Sequence, residues 1–364
     1  METLVAPPGL KGLVVADTAI GDVRGDEGYY HYRGRSAVEV ARRSSFEDAW
    51  ALVLDGVDAP PIEPDRTLEP ACWTLVDALA AHGTTPIDGL RSMLPHTGGY
   101  RPTLDIDAGQ RRCDAIRVAS VTPTLLAAFH RVACGERPLA PDPARGHTAD
   151  YLRMVTGNEP STRQVVALES YLVATIDHGF NASTFTARVI ASTGSDVASA
   201  VIGAAGAFIG PLHGGAPGRV LDMIDAIGEP ANTGQWVRAE LARGGKIMGF
   251  GHAVYRTEDP RSRLLLEMAR TFDDPLVARA EAIDAEILRA LRAHKPDTPI
   301  QANVEFYAAV VLHLCGIPPV MFTPTFAVAR VVGWTAHVLE QAAAAKIMRP
   351  SARYVGPLPA AAGR

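Results

Sequence analysis

Apolar residues recur at three- and four-residue spacing through most of this 364-residue chain, in segments that end at glycine. Such spacing puts the apolar side chains on one face of an α-helix, and glycine is the residue that most readily ends a helix. The clearest early segments are FEDAWALVLDG (46–56), PACWTLVDALAAHG (70–83) and SVTPTLLAAFHRVACG (120–135). The sequence therefore predicts a mainly α fold.

The N-terminal part differs from the rest. Residues 9–34, GLKGLVVADTAIGDVRGDEGYYHYRG, contain short β-branched or aromatic runs that are broken by Gly and Asp. This pattern indicates a small antiparallel β-hairpin region before the helices.

The second half predicts further helices, two of them rich in small residues. They cover 181–193, with Asn181 or Ser183 as the N-cap, and 195–210. Because small side chains let helices pack closely, these two are candidates for packing between subunits. Later helices are predicted over 235–244, near 261–271, and over 275–294, 304–316 and 326–347, with the prolines of IPPVMFTPT (317–325) separating the last two.

Composition narrows the class of protein. The length exceeds that of a usual single domain, and 47% hydrophobic with 21% charged residues is typical of a globular chain. The formal charge is −5 and no long Lys/Arg run occurs, which argues against nucleic acid or a membrane surface as a partner. The first residues lack a basic stretch followed by an apolar core, so we expect a cytoplasmic protein.

The cysteines give no sign of a metal or a disulfide. Cys72, Cys113, Cys134 and Cys315 are scattered, without the paired spacing that holds zinc or a redox disulfide. We expect all four to be reduced and structural.

Three histidines lie in glycine-bordered settings: His178 in IDHGFNAST, His213 in GPLHGGA and His252 in GFGHAVYRTEDPR. A side chain beside glycine can lie against a ligand because the neighbouring backbone carries no bulk. Any one of them alone reads more readily as a satisfied turn or core histidine. Three in similar settings favour a site, although these residues alone do not name a reaction.

Together these segments resemble the citrate synthase family. GFGHAVYRTEDPR fits the family signature of Gly, aromatic, Gly, His, then Arg and Asp-Pro-Arg, and four further blocks follow the family order: DHGFNAST, PLHGGA, FTPTFAVAR and KIMRPSARYVG. The resemblance implies a mainly α, two-domain helical fold that joins an acyl-CoA to a 2-oxo dicarboxylic acid such as oxaloacetate.

The resemblance also implies roles for the histidines. His213 resembles the residue that hydrogen-bonds the thioester oxygen of the acyl-CoA, and the positive end of a helix following it is expected to lower its pKa. His252 resembles the residue that polarises and protonates the keto oxygen of oxaloacetate. His178 resembles a further oxaloacetate ligand.

The remaining implied ligands are arginines and one loop. Arg261 of the Asp-Pro-Arg element and Arg330 of FAVAR resemble clamps on the dicarboxylate, and Arg349 of MRP resembles a third that reaches across from the partner of a homodimer. On the CoA side, one loop resembles the loop that receives adenine, and it consists of Ile247, Met248, Gly249, Phe250 and Gly251. Arg256 resembles a phosphate-binding side chain. The resemblance requires no metal and no cofactor beyond the acyl-CoA substrate.

One residue departs from the family pattern. The proton is usually taken from the acyl group by Asp in an Asn-Val-Asp-Phe-like segment, whereas this chain has NVEFY with Glu305. We expect Glu305 to act as the base, ionised at neutral pH, in a site adjusted to its longer side chain. A slow enzyme, a different acyl preference or a ligand-binding relative with weak turnover remain alternatives.

The resemblance places a large helical domain at residues 1–214 and 318–364, and a smaller one at 215–317 that closes over the site. The expected reaction is that of a citrate synthase, with acetyl-CoA as the donor. A 2-methylcitrate synthase that uses propionyl-CoA is the nearest alternative, because one methylene contributes little discrimination. A histidine-ligated metal hydrolase is disfavoured, since no HExxH or comparable spacing occurs.

Overall fold

The computed structural model describes residues 5–211, 213, 217–252, 254–296 and 300–357. Within these ranges the chain is mainly helical. The α-helices are α1 (Ala37–Arg43), α2 (Phe46–Asp55), α3 (Pro70–Ala80), α4 (Pro86–Met93), α5 (Ala108–Ala133), α6 (His147–Thr156), α7 (Thr162–Thr175), α8 (Ala182–Ala191), α9 (Val197–Phe208), α10 (Pro217–Ile227), α11 (Thr233–Ala242), α12 (Pro260–Ala269), α13 (Pro275–His294), α14 (Val304–Leu314) and α15 (Phe322–Ala344). Across the described ranges, no helix has both the length and the apolar character needed to span a bilayer.

A small antiparallel sheet precedes the helices, as predicted for residues 9–34. Its strands are β1 (Gly21–Arg24), β2 (Tyr29–Tyr32) and β3 (Arg35–Ser36), paired in that order. Two tyrosines of β2 are buried, and their hydroxyls donate to the backbone carbonyls of Ala174 and Val173, each at 2.9 Å. The sheet is therefore fixed against the C-terminal end of α7.

The turn between β1 and β2 lies directly on a later segment, residues 254–257. A Cβ atom added to Gly25 would be 2.2 Å from the carbonyl oxygen of Val254, a distance that no real side chain could adopt. The backbone N–H of Arg256 also donates to the carbonyl of Gly25 at 3.1 Å. Glycine is thus required at this close approach of two backbones.

The helix ends follow local capping chemistry. Ser45 and Asp48 form a capping box at the start of α2, and the Asn181 side chain accepts from Thr184 N at the start of α8, so Asn181 and not Ser183 is the N-cap. The predicted helix 120–135 is the second half of a longer one. A capping box of Asp107 and Gln110 begins α5 well before residue 120.

The prolines near residue 320 separate α14 from α15, as predicted, but α15 begins earlier than residue 326. It starts at Phe322, so Pro324 lies in the first turn. A proline there sacrifices no helical hydrogen bond, because the first N–H groups of a helix have no partner within it.

The core is built around α15, which packs on α5, α7, α8 and α9. Its side chains are buried on every face through most of its length, and they include Arg330, Trp334 and His337. A helix that is buried all round is the central element of a helical domain. Gly333 lets α15 approach the end of α7, because a Cβ there would be 2.3 Å from the carbonyl oxygen of Ile176.

We predict that Gly333→Ala destabilises the fold. The added methyl group meets backbone, which cannot rotate away, so we expect a loss of about 1 to 3 kcal/mol in the free energy of unfolding. Gly234→Ala in α11 is the matched control, because its nearest neighbour is the flexible side chain of Arg238, and it should leave stability unchanged or raise it by up to about 1 kcal/mol. Urea unfolding of both variants makes the comparison. Equal stabilities would contradict the close approach of α15 to α7.

Candidate active site

Side chains from well-separated stretches of the chain converge on one cleft of about 700 Å³. Its wall is formed by the N-terminal segment and β1, the turn after α7, the loop 251–254, the start of α14 and part of α15. Seven of the predicted site residues line it: His178, His213, Gly251, His252, Arg261, Glu305 and Arg330.

His178 lies in the turn between α7 and α8. Its Nε2 is 3.0 Å from the hydroxyl oxygen of Tyr255, and its ring meets the ring of His252 edge-on at 5.5 Å. Burial, followed by the nearby guanidinium groups of Arg261 and Arg330, lowers the pKa of His178 well below its usual value. The imidazole is therefore neutral at physiological pH.

His213 is held by the first turn of α8. Its Nε2 is 2.9 Å from Ser183 Oγ, which also accepts from Trp334 Nε1 at 3.1 Å. Burial and then the charge of Arg330 lower the pKa of His213 to about 4. The direction agrees with the prediction, which had attributed the lowered pKa to a following helix. Leu212 and residues 214–216 of this block lie outside the described residues.

His252 has a defined tautomer. Its Nδ1 accepts from the backbone N–H groups of Val254 at 2.9 Å and Tyr255 at 3.0 Å, so in the neutral ring Nε2 carries the hydrogen. Nη2 of Arg261 is a longer 3.3 Å from Nε2 and donates to Asp259 at 2.8 Å, so the two shorter bonds at Nδ1 decide the tautomer. Burial and then Arg261 lower the pKa of His252 to about 4. The ring is thus a neutral donor at the cleft.

Arg261 is fixed by Asp259, which the sequence reasoning quoted as part of a motif but gave no role. Nε and Nη2 of the arginine donate to the two carboxylate oxygens at 3.0 and 2.8 Å, in a buried ion pair. The same carboxylate accepts from Val304 N at 3.0 Å, at the start of α14. Asp259 therefore joins the arginine of α12 to the helix that carries Glu305.

Arg330 is a buried cation that forms no ion pair with the described residues, although the Asp177 carboxylate is near enough to act on its charge. Its Nε donates to the carbonyl of Thr175 at 3.0 Å, and its guanidinium lies 4.8 Å from the ring centre of Phe326. In the described part of the chain no carboxylate lies within ion-pair distance of Arg330. Burying a charge without a direct ion pair is costly, so this guanidinium is suited to an anionic ligand.

Glu305 is the second residue of α14, and its backbone N–H is capped by the Asn303 side chain at 2.9 Å. No hydrogen-bond partner of its carboxylate is found among the residues that the structure describes. Burial, against the opposing charge of Arg261, raises the pKa of Glu305 from 4.5 to about 7. The prediction that Glu305 stays ionised near the start of a helix did not include burial, which shifts its pKa in the opposite direction.

The other predicted ligands lie elsewhere. Arg349 is exposed and lines a second cavity of about 910 Å³, so a single chain does not bring it to the cleft. Of the predicted CoA loop only Gly251 lines the cleft, although the loop adjoins it: Gly249 O accepts from Asn303 N at 2.8 Å. Arg256 is exposed on the neighbouring loop.

Sequence reasoning also gave no role within the cleft to Tyr255, Ser183 or Asp177. Each stands inside a block that had been recognised, which was the available signal, but its partner lies far away in sequence. Asp177, for example, accepts from His337 Nε2 of α15 at 3.2 Å. Among the described residues no group of three or more His, Cys, Asp or Glu side chains is arranged to hold a metal ion.

Comparison with known proteins agrees with this arrangement. The model of the citrate synthase C-terminal domain matches residues 9–351. A Mycobacterium tuberculosis protein named "Putative citrate synthase 2" is 42% identical over 360 residues, which are 97% of this chain and 93% of that protein. A 2-methylcitrate synthase from the same organism is 38% identical over 359 residues, which are 96% of this chain and 90% of that protein.

Solved structures show the same fold. The citrate synthase of Thermotoga maritima superposes with a TM-score of 0.84 at 34% identity, over 97% of this chain and 96% of that chain. The citrate synthase of Thermoplasma acidophilum, in a ternary complex with carboxymethyl coenzyme A and oxaloacetate, superposes with a TM-score of 0.87 over 99% of this chain and 98% of that chain. At 24% identity this second structure shows the fold alone. The matches cover nearly the whole chain at substantial identity, and the chain therefore belongs to the citrate synthase family of acyltransferases.

Proposed function

We propose that this protein is a citrate synthase that condenses acetyl-CoA with oxaloacetate and releases citrate and CoA. One observation carries the proposal. Neutral His213 and His252, a carboxyl group of raised pKa at Glu305, and the buried cations Arg261 and Arg330 all face one cleft. Glu305 is the base, the two histidines are hydrogen-bond donors to developing oxyanions, and the two arginines are a clamp for a dicarboxylate.

The dicarboxylate is proposed to bind between the two arginines. Arg330 offers both Nη groups, which have no partner within the described ranges, and Arg261 keeps Nη1 free of its ion pair with Asp259. Planar guanidinium groups suit carboxylates because they donate two parallel hydrogen bonds. His178 and the Nε2–H of His252 then lie beside the bound keto acid.

The first chemical step is proton removal from the acyl methyl group. The ionised Glu305 carboxylate takes this proton while a ring N–H of neutral His213 donates to the thioester oxygen, which gains negative charge. Ser183 has one hydroxyl hydrogen, which Asn181 Oδ1 at 2.8 Å and Nε2 of His213 at 2.9 Å can each accept. The step uses the arrangement in which Ser183 donates to Nε2, so that His213 carries its own hydrogen on Nδ1 and presents it as the donor. The imidazole stabilises the enolate without first having to lose a proton.

Carbon–carbon bond formation follows. The enolate carbon attacks the keto carbon of oxaloacetate, and His252 Nε2 delivers its hydrogen to the resulting alkoxide. The proton that Glu305 took then passes through water to His252, so that both groups end in the state in which they began. Water then cleaves the thioester of citryl-CoA, the carbonyl carbon gaining the hydroxyl group and the sulfur the proton, to give citrate and CoA. The only groups of this chain that the steps need are imidazole, carboxyl and guanidinium side chains.

We further propose two domains, residues 1–214 with 318–364 and residues 215–317. The first would carry His178 and Arg330, and the second His252, Arg261 and Glu305, so that the cleft lies between them. Closure on oxaloacetate would complete the acyl-CoA site and keep water from the thioester. The boundary at residues 214 and 215 lies outside the described residues, as do both chain ends.

A homodimer is proposed as the active form, with Arg349 supplied to the partner's cleft. Two features of the chain support it. α8 and α9 are in close contact, since a Cβ on Gly203 would be 2.2 Å from Ile190 Cδ1, and the half-buried residues of the pair include the small Thr186, Ser199 and Gly203. The segment that carries Arg349 extends over the surface and is exposed, with Ile347 at 63% and Val355 at 86% of their full accessibility.

The acyl donor has a second candidate. Because one of the relatives is a 2-methylcitrate synthase at 38% identity, propionyl-CoA is the alternative to acetyl-CoA. One methylene changes the transition-state energy by only about 1 to 3 kcal/mol. A comparison of kcat/KM for the two donors with oxaloacetate decides between them, the larger value identifying the substrate.

We predict that Glu305→Gln lowers CoA release by about 100- to 10,000-fold, because the variant has no base, while oxaloacetate still binds. Thiol release and calorimetric titration measure the two effects. In the wild type, kcat/KM for the acyl-CoA should fall about tenfold per pH unit below about 7, where Glu305 becomes protonated. The exposed Glu63→Gln is the control for the amide substitution. Normal turnover by the Glu305→Gln enzyme would remove Glu305 as the base.

The same substitution is expected to stabilise the fold at high pH. The pKa of Glu305 is about 7 when folded against 4.5 ordinarily, so the stability contributed by the bound proton is complete below pH 4.5 and is lost as pH rises through 7. Glu305→Gln keeps the neutral form throughout. At pH 8 its free energy of unfolding should exceed that of the wild type by roughly 1 to 3 kcal/mol, and at pH 4.5 the two should agree. If urea unfolding at pH 8 gave the same free energy of unfolding for the wild type and Glu305→Gln, the carboxylate of Glu305 would be well solvated.

We predict that two inactive variants restore activity when their subunits exchange. Arg349→Gln inactivates the cleft of the partner subunit, whereas Glu305→Gln inactivates the cleft of the subunit that carries it. In a mixed dimer both substitutions therefore affect the same cleft, and the other cleft is intact. Complete random exchange should give roughly a quarter of the wild-type rate. The exposed Arg353→Gln is the control. When it is mixed with Glu305→Gln in the same way, the mixture should have only the activity of the Arg353→Gln enzyme in proportion to its share. Failure of rescue, or a fully active monomer in sedimentation, would exclude a shared site.

A further inference from the structure

Tyr255 contacts both histidines that flank the keto-acid side of the cleft. Its hydroxyl oxygen is 3.0 Å from Nε2 of His178, and its backbone N–H donates to Nδ1 of His252 at 3.0 Å. The tyrosine is 3% exposed, so neither contact is weakened by surrounding solvent. One residue thus bonds a specific ring nitrogen of each histidine.

The hydroxyl of Tyr255 is the donor in its bond to His178. Burial raises the pKa of the phenol above its usual value, so the hydroxyl keeps its hydrogen at physiological pH. Among the described residues the hydroxyl has no other hydrogen-bond partner, so its hydrogen would have no acceptor if Nε2 were the donor instead. The bond therefore requires Nε2 without a hydrogen, and the hydrogen of the neutral ring is then on Nδ1.

Charging His178 is not an alternative way to make both nitrogens donors. The ring packs against Tyr30, His252 and Tyr255, and the guanidinium groups of Arg261 and Arg330 repel a second positive charge. The choice that remains is between two neutral tautomers. The hydrogen bond made by one nitrogen decides which of them forms.

We propose that Tyr255 is a positioning residue that fixes His178 and His252 in complementary tautomers, so that Nδ1–H of the first and Nε2–H of the second are both donors to the keto acid. This deepens the proposed function and rests on it. Without the hydroxyl, His178 can place its hydrogen on Nε2, and Nδ1 then meets the anionic ligand with a lone pair. The Nδ1 contact of His252 is different, because a backbone N–H makes it and no substitution of the side chain removes that group.

The test is Tyr255→Phe, with Tyr32→Phe as the matched control. Tyr32 is equally buried, but its hydroxyl donates to the backbone carbonyls of Val173 at 2.9 Å and Asp177 at 3.3 Å, and not to a histidine. Nitrogen-15 labelling of histidine, with His178→Asn to assign the resonance, reports the tautomer by NMR. We expect Nδ1–H on His178 in the wild type and in Tyr32→Phe, and a shift toward Nε2–H in Tyr255→Phe.

Kinetics provide a second readout that a purely structural role would not produce. We expect Tyr255→Phe to raise the KM and the calorimetric Kd for oxaloacetate about tenfold, as for loss of one good hydrogen bond, with kcat changed less than about threefold. Tyr32→Phe should lower thermal stability without changing either constant.

The proposal is overturned if wild-type His178 carries its hydrogen on Nε2, or if its tautomer is the same in Tyr255→Phe. The wild-type spectrum alone decides the first point even if the variant does not fold. A failure of the proposed function has a different signature, namely no CoA release from acetyl-CoA and oxaloacetate by the wild type, whatever the tautomer of His178.

Discussion

The carboxylate of Asp259 organises the half of the cleft that lies between α12 and α14. It caps the start of α12, forms a buried ion pair with Arg261 and accepts from Val304 N at the start of α14. Removing one partner of a buried pair leaves an uncompensated charge, which typically costs about 3 to 5 kcal/mol. Because Glu305 is one residue beyond Val304, the same carboxylate locates the acidic group relative to the arginine.

The opposite wall shows a different balance of charge. Arg330 has no ion-pair partner among the described carboxylates, and after burial it is a further cause of the lowered pKa values of His178 and His213. One cation is thus neutralised by the protein while the other is left for a ligand, and both keep the neighbouring imidazoles neutral. Burial then raises the pKa of Glu305, so a single property of the cleft, its low exposure to water, sets the protonation of the acid and of the histidines.

Much of this could be predicted from sequence, because helical periodicity and glycine positions are local properties. The ends of α2 and α8 and the glycine-bordered settings of the three histidines belong to that class, whereas the roles of these histidines in one site were implied by the family resemblance. Predictions failed where the cause is non-local or was overlooked. The start of α5 depends on a capping box at Asp107 that was not read, and the ionisation of Glu305 depends on burial that no local pattern records. Tyr255 and Ser183 could not be assigned because their histidine partners are distant in sequence.

Helix α15 bears a stripe of polar atoms within its buried surface. Arg330 bonds Thr175 O, Trp334 bonds Ser183 Oγ and His337 bonds Asp177 Oδ1, at positions i, i+4 and i+7. These contacts hold both ends of the turn that carries His178. Because each residue advances an α-helix by about 100°, inserting or deleting a single residue in α15 before Arg330 would rotate all three groups away together. The hydrogen bonds that hold this wall of the cleft therefore depend on the rotation of α15 about its own axis. Insertions and deletions in this helix should be far less tolerated in evolution than substitutions of its other side chains.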